Sequence, residues 1–249
     1  MIRRIAAAGY SVALVALVWE LVARAHLVPF FFLPPFTAVL STFAAQIADG
    51  VLVSATLQTV LRALGGYALG AVVGIGLGLA MARFRAVRWF LDPIVAVGLS
   101  VPSLTLVPAF VLWFGIGHAS KILLVALSCV WSMTISAYNG ARHVDTRLVW
   151  SARAMGTPEG KLLWKVVFPA ATPYIFNGLQ VALPVALIVA FVFEMVAGGG
   201  GVGFLEIMAA RFFKAPDLFA ALFAILIAGF ALDRILRIVR ARVLIWLQA

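Results

Sequence analysis

Residues 156–162, with the sequence GTPEGKL, carry the glycines and the lysine of a phosphate-binding loop. Such a loop needs four residues between its two glycines, and a Ser or Thr after the lysine supplies a hydroxyl to Mg²⁺. In this chain three residues separate Gly156 from Gly160, and Leu162 stands where the hydroxyl is needed. The stretch is therefore excluded as a nucleotide site, and any ATP that drives this protein must bind to another chain.

Other catalytic motifs are missing from the sequence, which contains no HExxH, no GxSxG and no CxxC. The histidines His26, His118 and His143 are far apart, and Cys129 is the one cysteine. We therefore predict no catalytic residues, no metal site and no cofactor bound by this chain. Cys129 lies inside an apolar run, which is typical of a buried, inert thiol.

Residues 141–173 form a basic stretch between two long apolar segments. Its cations are Arg142, Arg147, Arg153, Lys161 and Lys165. The pattern predicts two short amphipathic helices, of which Asp145 caps the first and Gly156 ends it in a left-handed conformation. Thr157 at the N-cap and Pro158 at the first helical position then open the second helix. Neither helix reaches the roughly 20 apolar residues that cross a bilayer, so the stretch is predicted to be a docking surface on the water side.

Composition places the chain in a membrane, since 65% of its 249 residues are hydrophobic and 11% are charged. The mean hydropathy is +1.13, far above that of soluble domains. The net charge of +10 would elsewhere favour nucleic acid, but the basic residues lie in short clusters at the ends of apolar segments. We therefore predict an all-α, polytopic membrane protein with no nucleic-acid partner.

Six apolar segments can be drawn from the sequence. They lie at about residues 5–25, 54–82, 92–114, 121–140, 174–197 and 218–236. With both termini in the cytoplasm, most of the 19 Lys and Arg residues lie on the inner side, as the positive-inside rule requires. We predict about six transmembrane helices in this N-in, C-in orientation. They form a single transmembrane domain over residues 1–249, with core helices at about 54–197 and the basic loop in the cytoplasm.

Glycines recur at every fourth position of the second segment. They are Gly66, Gly70, Gly74 and Gly78. Apolar helices gain little from the hydrophobic effect in lipid, so a stripe of small residues that lets two backbones approach is the expected packing device. The stripe predicts a helix contact, either within the subunit or across a dimer. Arg62 is predicted to anchor the same helix near the outer interface, and His118 to be a polar residue at that interface.

Polar residues inside the apolar segments are candidates for a translocation path. Pro102 and Pro108 predict a kinked third helix, because prolines leave backbone carbonyls unpaired; the kink either lies beside such a path or is only architectural. An acid within an apolar run, Glu194, is a functional candidate as well. The serines of the fourth segment recur at four-residue spacing and share one helix face, which suits either a path or close packing. The candidates are Ser103, Ser128, Ser132, Ser136, Asn139, Gln180 and Glu194.

The basic loop resembles the "EAA" loop of type I ABC-importer permeases. The resemblance lies in WSARAMG at residues 150–156, followed by Phe168-Pro169 and then Pro173. Further stretches are similar to the sulfonate, taurine and nitrate branch of that family. They are residues 33–35, 59–70, 92–93, 108–117 and 121–122. The chain departs from the family at Trp150-Ser151, where the pattern usually has Glu-Ala.

The resemblance implies a multi-pass permease subunit of the bacterial inner membrane, which is not itself an enzyme. The partners it implies are a second copy of the chain, cytoplasmic ABC ATPase subunits that hold ATP and Mg²⁺, a periplasmic solute-binding protein and membrane lipid. In the family the loop fits a groove on the ATPase. The corresponding residues of this chain are Trp150, Ser151, Ala152, Arg153, Gly156, Thr157, Pro158 and Pro169.

The branch also implies a substrate class: an aliphatic sulfonate, taurine or nitrate. Similar permeases carry pyrimidine or vitamin precursors, and this substrate class stays an alternative. An ion-coupled secondary transporter is the alternative of a different class. Such transporters often show inverted repeats and ionisable groups at mid-membrane, whereas this sequence contains no convincing internal repeat.

Overall fold

This computed structural model describes residues 2–25 and 27–245 of the chain. These residues contain eleven α-helices and no strand. The helices are α1 (Ile2–Arg24), α2 (Phe36–Ala48), α3 (Val51–Arg83), α4 (Arg85–Ser100), α5 (Val107–Phe114), α6 (His118–Arg142), α7 (Thr146–Ala154), α8 (Glu159–Leu162), α9 (Phe168–Ala197), α10 (Val202–Arg211) and α11 (Ala215–Val243). A 3₁₀ turn, Ser103–Leu106, precedes α5, and a π-helical turn, Leu163–Val167, precedes α9. The all-α prediction is confirmed; His26 lies outside the described residues.

Within residues 2–25 and 27–245, four helical spans are long and apolar enough to cross a membrane. They are Val51–Arg83, His118–Arg142, Gly160–Ala197 and Ala215–Val243. The bent pair of α4 and the segment that ends with α5 adds a fifth if the two cross together. The chain is therefore a multi-pass membrane protein. The first predicted segment lies in α1, a helix that is not among the four, so the number six and the N-in, C-in orientation stay predictions.

The third predicted segment is not one kinked helix. Its first part, α4, begins already at Arg85, and the helix axis turns by 90° between α4 and the segment that contains α5. Pro102 accounts for the break because the residue before a proline avoids the α-helical conformation, and Val101 is extended at φ −80° and ψ 122°. Pro108 breaks no helix, since it lies in the first turn of α5, where no helical hydrogen bond is lost.

The helices α3, α6 and α9 pack side by side and form the centre of the fold. Their fully or nearly fully buried side chains include Ala63, Val125, Met133, Ala186 and Phe193. The short helix α10 packs on α9 and α11, and α5 packs on α6 and α9. This three-helix core joins the basic loop at one end to the α9–α10 connection at the other.

The glycine stripe of α3 lies against α6 of the same subunit. A Cβ atom added at Gly66 would lie 2.5 Å from the Cβ of Val125, and one at Gly74 would lie 2.6 Å from the carbonyl oxygen of Val130. The other two glycines of the stripe meet α6 in the same way. Because no side chain separates the two backbones, the helices gain van der Waals contact along their length. Of the two contacts that the sequence leaves open, the structure shows the one within the subunit.

The helix α8, the π-helical turn and α9 form one continuous helical span, Gly160–Ala197. In the turn, the N–H of Phe168 donates to the carbonyl of Leu163, five residues back. Pro169 accounts for this widening, since a proline has no N–H to donate and its ring clashes with the carbonyl four residues back. The basic loop is therefore joined to the core by a helix instead of a flexible linker.

Candidate functional site

The first half of the basic loop, residues 141–173, folds as its sequence predicts. Asp145 caps α7, and its carboxylate accepts a hydrogen bond from the Arg147 N–H at 2.9 Å. Gly156 ends the helix with φ at +80°, a conformation that glycine adopts at no steric cost. The start of α8 differs from the prediction by one residue, because Pro158 occupies the N-cap in place of Thr157. The helices α7 and α8 contact each other across this turn.

The exposed side of the loop combines large apolar side chains with cations. Met155 is 79% exposed, and Trp150 and Trp164 are each 64% exposed, whereas Ala152 and Leu162 are buried. All five cations of the loop are exposed: Arg142, Arg147, Arg153, Lys161 and Lys165. Exposed apolar patches mark interaction sites, and Trp and Arg side chains contribute most to the energy of protein interfaces. The loop therefore has the surface chemistry of a protein docking site.

Two core helices hold the loop. His143, at the end of α6, stacks on Tyr174 of α9, with ring centroids 5.6 Å apart and 13° between the ring planes. A Cβ atom added at Gly140 would lie 2.7 Å from the Cβ of Tyr174, so the two helices touch closely there. The loop therefore leaves α6 and enters α9 at a point where these two helices contact each other directly.

The side chain of Ser136 and the backbone of Ser132 lie against α9 within the subunit. A Cβ atom added at Gly178 of α9 would lie 2.6 Å from the Cβ of Ser136 and 3.5 Å from the carbonyl oxygen of Ser132. Ser128, Ser132 and Ser136 are half-buried, and the hydroxyls of Ser128 and Ser132 donate to carbonyls of their own helix. At Ser132 and Ser136, the serine face thus packs α6 closely on α9.

The other predicted path residues are spread over the fold. Ser103 is half-buried in the 3₁₀ turn at the bend, and Asn139 is half-buried at the end of α6 next to the loop. Gln180 accepts a hydrogen bond from Arg240 of α11. Glu194 lies at the far end of α9 and is fully buried. The seven candidates therefore do not form one cluster.

Glu194 forms a buried ion pair with Arg62 of α3. Arg62 Nη1 lies 2.6 Å from Glu194 Oε1, and the two side chains are 3% and 0% exposed. The second carboxylate oxygen accepts hydrogen bonds from the Thr59 hydroxyl at 2.7 Å and from the Gly203 N–H at 3.2 Å. The side chain of Arg62 therefore points into the protein and not toward lipid or water, and its position near the outer interface stays a prediction.

A signal for this position of Arg62 is present in the sequence. Arg62 precedes Gly66 by four residues, so it continues the glycine stripe by one step on the packed face of α3. Thr59 lies three residues earlier, on the same face. Glu194, however, is 132 residues away, and no local pattern indicates which acid the arginine meets.

The remaining donors of Arg62 reach the α9–α10 loop and the neighbouring helices. Nη1 and Nη2 donate to the carbonyl oxygens of Gly200 and Gly199 at 2.8 and 2.9 Å. Nε donates to Nδ1 of His118 at 3.1 Å, and Nη2 reaches Oε1 of Gln58 at 3.5 Å. With the bond to Glu194, each of the five guanidinium N–H groups has an acceptor. The ion-pair cluster is defined as Gln58, Thr59, Arg62, His118 and Glu194.

Lys121 lies beside the ion-pair cluster and is fully buried. Its ammonium group donates to the carbonyl oxygen of Ile116 at 2.9 Å and lies 5.8 Å from the ring centroid of Phe193. The carbonyl and the aromatic face partly replace the water that this cation loses. The ends of α3, α6 and α9 that face away from the basic loop therefore meet around buried charge.

The loop and the helix core both lie in a part of the chain that is similar to known proteins. Residues 70–245 match the family described as "binding-protein-dependent transport system inner membrane component". The chain belongs to this family. It is 32% identical over 241 residues to the taurine transport system permease protein TauC of Escherichia coli, which covers 95% of this chain and 88% of TauC. It is 30% identical over 234 residues to SsuC of Bacillus subtilis, a permease protein assigned to aliphatic sulfonates transport, which covers 94% of this chain and 85% of SsuC.

The fold of this family member has a solved counterpart. A chain of the methionine ABC transporter MetNI, in an inward-facing conformation, matches it with a TM-score of 0.71. The match covers 80% of this chain and 98% of that chain, at 18% sequence identity. At this identity the likeness concerns the fold. The family match and the similarity to TauC and SsuC identify this chain as the membrane component of a binding-protein-dependent ABC importer.

Proposed function

We propose that this chain is the permease subunit of an ATP-driven importer for a small solute of the sulfonate or taurine type. The observation that carries the proposal is the similarity to TauC and SsuC over nearly the whole chain. The exposed aromatic and cationic surface of the basic loop supports it, because a permease without a nucleotide site needs a contact to a separate ATPase. The setting is the bacterial inner membrane, with the loop and both termini in the cytoplasm.

The basic loop is the contact to the ATPase, which holds ATP and Mg²⁺. Trp150 stands where the family usually has a glutamate, and its indole is 64% exposed. The exposed cations around it favour an acidic groove with an apolar centre on the partner. The residues assigned to this contact or to its geometry are Trp150, Ser151, Ala152, Arg153, Gly156, Thr157, Pro158 and Pro169.

Transport follows from the rigid connection behind the loop. Closure of two ATPase subunits on ATP moves α7 and α8 of each permease copy. The continuous helix Gly160–Ala197 carries this movement into α9, and the stacking of His143 on Tyr174 carries it into α6. Since the glycine stripe locks α3 on α6, the three core helices shift as one body, which is the behaviour of closely packed two-state elements.

The substrate path lies between two copies of this chain. The 90° break between α4 and α5 leaves non-helical backbone around Val101 and Pro102. Such backbone is tolerated at membrane depth only where protein covers it or where it lines a water-filled path. Ser103 lies at this break, and α5 beyond it exposes Leu112 at 82% and Trp113 at 67%. A second copy and the lipid together cover this apolar surface.

ATP-driven uptake in proteoliposomes tests the proposal. The permease is reconstituted with its ATPase and with binding protein that is loaded with radiolabelled taurine. The expected result is taurine accumulation that needs ATP and the binding protein and stops when the Walker lysine of the ATPase is replaced. Uptake by the permease alone, driven by a proton or sodium gradient, would contradict the proposal and favour a secondary transporter.

A further inference from the structure

The connection between α9 and α10 has an unusual backbone. Gly198, Gly199, Gly200 and Gly201 follow one another with φ at +74°, +79°, +78° and +100°, a region that other residues rarely adopt. Glycine also loses more conformational freedom on ordering than any other residue. A run of four glycines therefore needs contacts from outside to stay in one conformation.

Arg62 supplies the contacts to the glycine run itself. Its guanidinium binds the carbonyl oxygens of Gly199 and Gly200 at 2.9 and 2.8 Å. These carbonyls belong to a loop that is more than 130 residues along the chain from Arg62. One side chain of α3 thus holds two consecutive peptide groups of this loop.

Thr59 and Glu194 hold the residues that follow the run. The Thr59 hydroxyl accepts a hydrogen bond from the Val202 N–H at 2.9 Å, and Glu194 accepts one from the Gly203 N–H at 3.2 Å. The Glu194 carboxylate also lies directly against Gly201, where a Cβ atom would overlap it. The first turn of α10 is therefore built on the ion pair.

The two charges of this pair are kept although their burial is costly. Both side chains are almost completely shielded, and well-packed apolar residues of the same volume often stabilise a fold as well as a buried pair does. Packing alone therefore does not require Arg62 and Glu194. The orientation of guanidinium N–H groups toward carbonyls of a separate loop does require an arginine, because its donors form a rigid, planar set.

We propose that Arg62 and Glu194 are positioning residues of the transport cycle, which hold the α9–α10 loop and α10 on the ends of α3 and α6. The inference rests on the proposed function. The helix α9 lies within one of the four spans, so the basic loop at its start and the ion pair at its end lie on opposite sides of the membrane. The ATPase occupies the first side, which leaves the second for the loaded binding protein. Because the pair joins the α9–α10 loop and α10 to the ends of α3 and α6, these elements move together when the loaded binding protein docks.

The test removes both charges in the reconstituted complex of permease, ATPase and taurine-loaded binding protein. The double variant Arg62→Met, Glu194→Leu replaces the pair with apolar side chains of similar size and so keeps the packing. We expect it to fold and to assemble with the ATPase as the wild type does. Stimulation of ATP hydrolysis by the loaded binding protein, measured per assembled complex, and taurine uptake should both fall about tenfold. Arg62→Lys, which keeps the charge but loses the planar donors, should show a similar fall.

Arg237 and Asp233 of α11 provide the matched control, because they form an ion pair at 2.7 Å whose side chains are 63% and 34% exposed, far more than those of Arg62 and Glu194. Arg237→Met, Asp233→Leu should leave stimulation and uptake unchanged. Near wild-type stimulation in the Arg62→Met, Glu194→Leu variant would overturn the inference and leave the proposed function intact. Absence of ATP-driven taurine uptake in the wild type would contradict the proposed function instead.

Thr59→Val serves as the second variant if the double variant does not assemble. It keeps the shape of the side chain and removes only the hydroxyl that joins Glu194 to the Val202 N–H. A loss of stimulation with unchanged assembly supports the inference, whereas unchanged stimulation in Thr59→Val overturns it.

Discussion

Gly74 and Gly76 of α3 allow the packing of the core to be measured. A Cβ atom at Gly74 would lie 2.6 Å from the Val130 carbonyl oxygen and 2.9 Å from the Cβ of Met133. Ordinary contact begins at 3.4 Å, so α3 and α6 would have to separate by about 0.8 Å, and closely packed interiors resist such a shift. Extra methyl groups in a packed core cost about 1–3 kcal/mol. The higher helix propensity of Ala offsets part of this cost, because replacing Gly by Ala in a helix stabilises it by about 1 kcal/mol.

At Gly76 only the gain in helix propensity remains, because nothing lies within 4 Å of an added Cβ atom. The difference between Gly74→Ala and Gly76→Ala therefore isolates the packing cost. We expect Gly74→Ala to be less stable than Gly76→Ala by about 1–3 kcal/mol. The assay is reversible unfolding of the purified permease in micelles, followed by tryptophan fluorescence. Equal free energies of unfolding for the two variants would refute the assignment of the glycine stripe to the α3–α6 contact.

Three further predictions concern the basic loop and the path. Trp150→Ala should weaken ATPase binding by about 2 kcal/mol, or about 30-fold, in a titration of the solubilised permease with the ATPase. Trp113→Ala is the control, because the Trp113 indole is 67% exposed on α5. An equal loss of ATPase affinity in both variants would contradict the docking role of Trp150. Gly156→Val should insert normally but uncouple ATP hydrolysis, because valine does not hold φ near +80°. Gly160→Ala, with open space around it, should stay coupled, and normal ATPase stimulation in Gly156→Val would refute the role of the turn. Ser132→Ala removes the hydroxyl and adds no bulk to the close contact of α6 with α9; it should lower taurine uptake, and unchanged uptake would assign the serine face to packing alone.

Short-range patterns account for the features that can be predicted from the sequence. The cap at Asp145 and the left-handed turn at Gly156 depend on residues within one helical turn, and the structure has both. The stripe of glycines on α3 likewise follows from a four-residue period. Its partner helix does not follow from that period, because several apolar helices offer similar faces to a glycine stripe.

The errors concern directions and distant contacts. Pro102 marks where the third segment breaks, but the 90° turn also depends on the packing of α5 on α6 and α9. The burial of Arg62 depends on Glu194, 132 residues away, and on a glycine loop that only the folded chain brings to it. An ionisable side chain in an apolar segment therefore indicates a special environment but not its partner.

Cross-linking from the exposed tip of the basic loop tests most directly whether this loop is the ATPase contact. Met155 is 79% exposed, and Cys129, the one cysteine of the chain, is fully buried, so Met155→Cys provides a single accessible thiol for a photoreactive probe. Leu112→Cys is the matched control, because Leu112 is 82% exposed on α5, away from the loop. In the assembled complex, the probe at position 155 should cross-link to the ATPase, and the probe at position 112 should not. Cross-links from position 155 to lipid or to the binding protein, with the ATPase bound and unlabelled, would contradict the account.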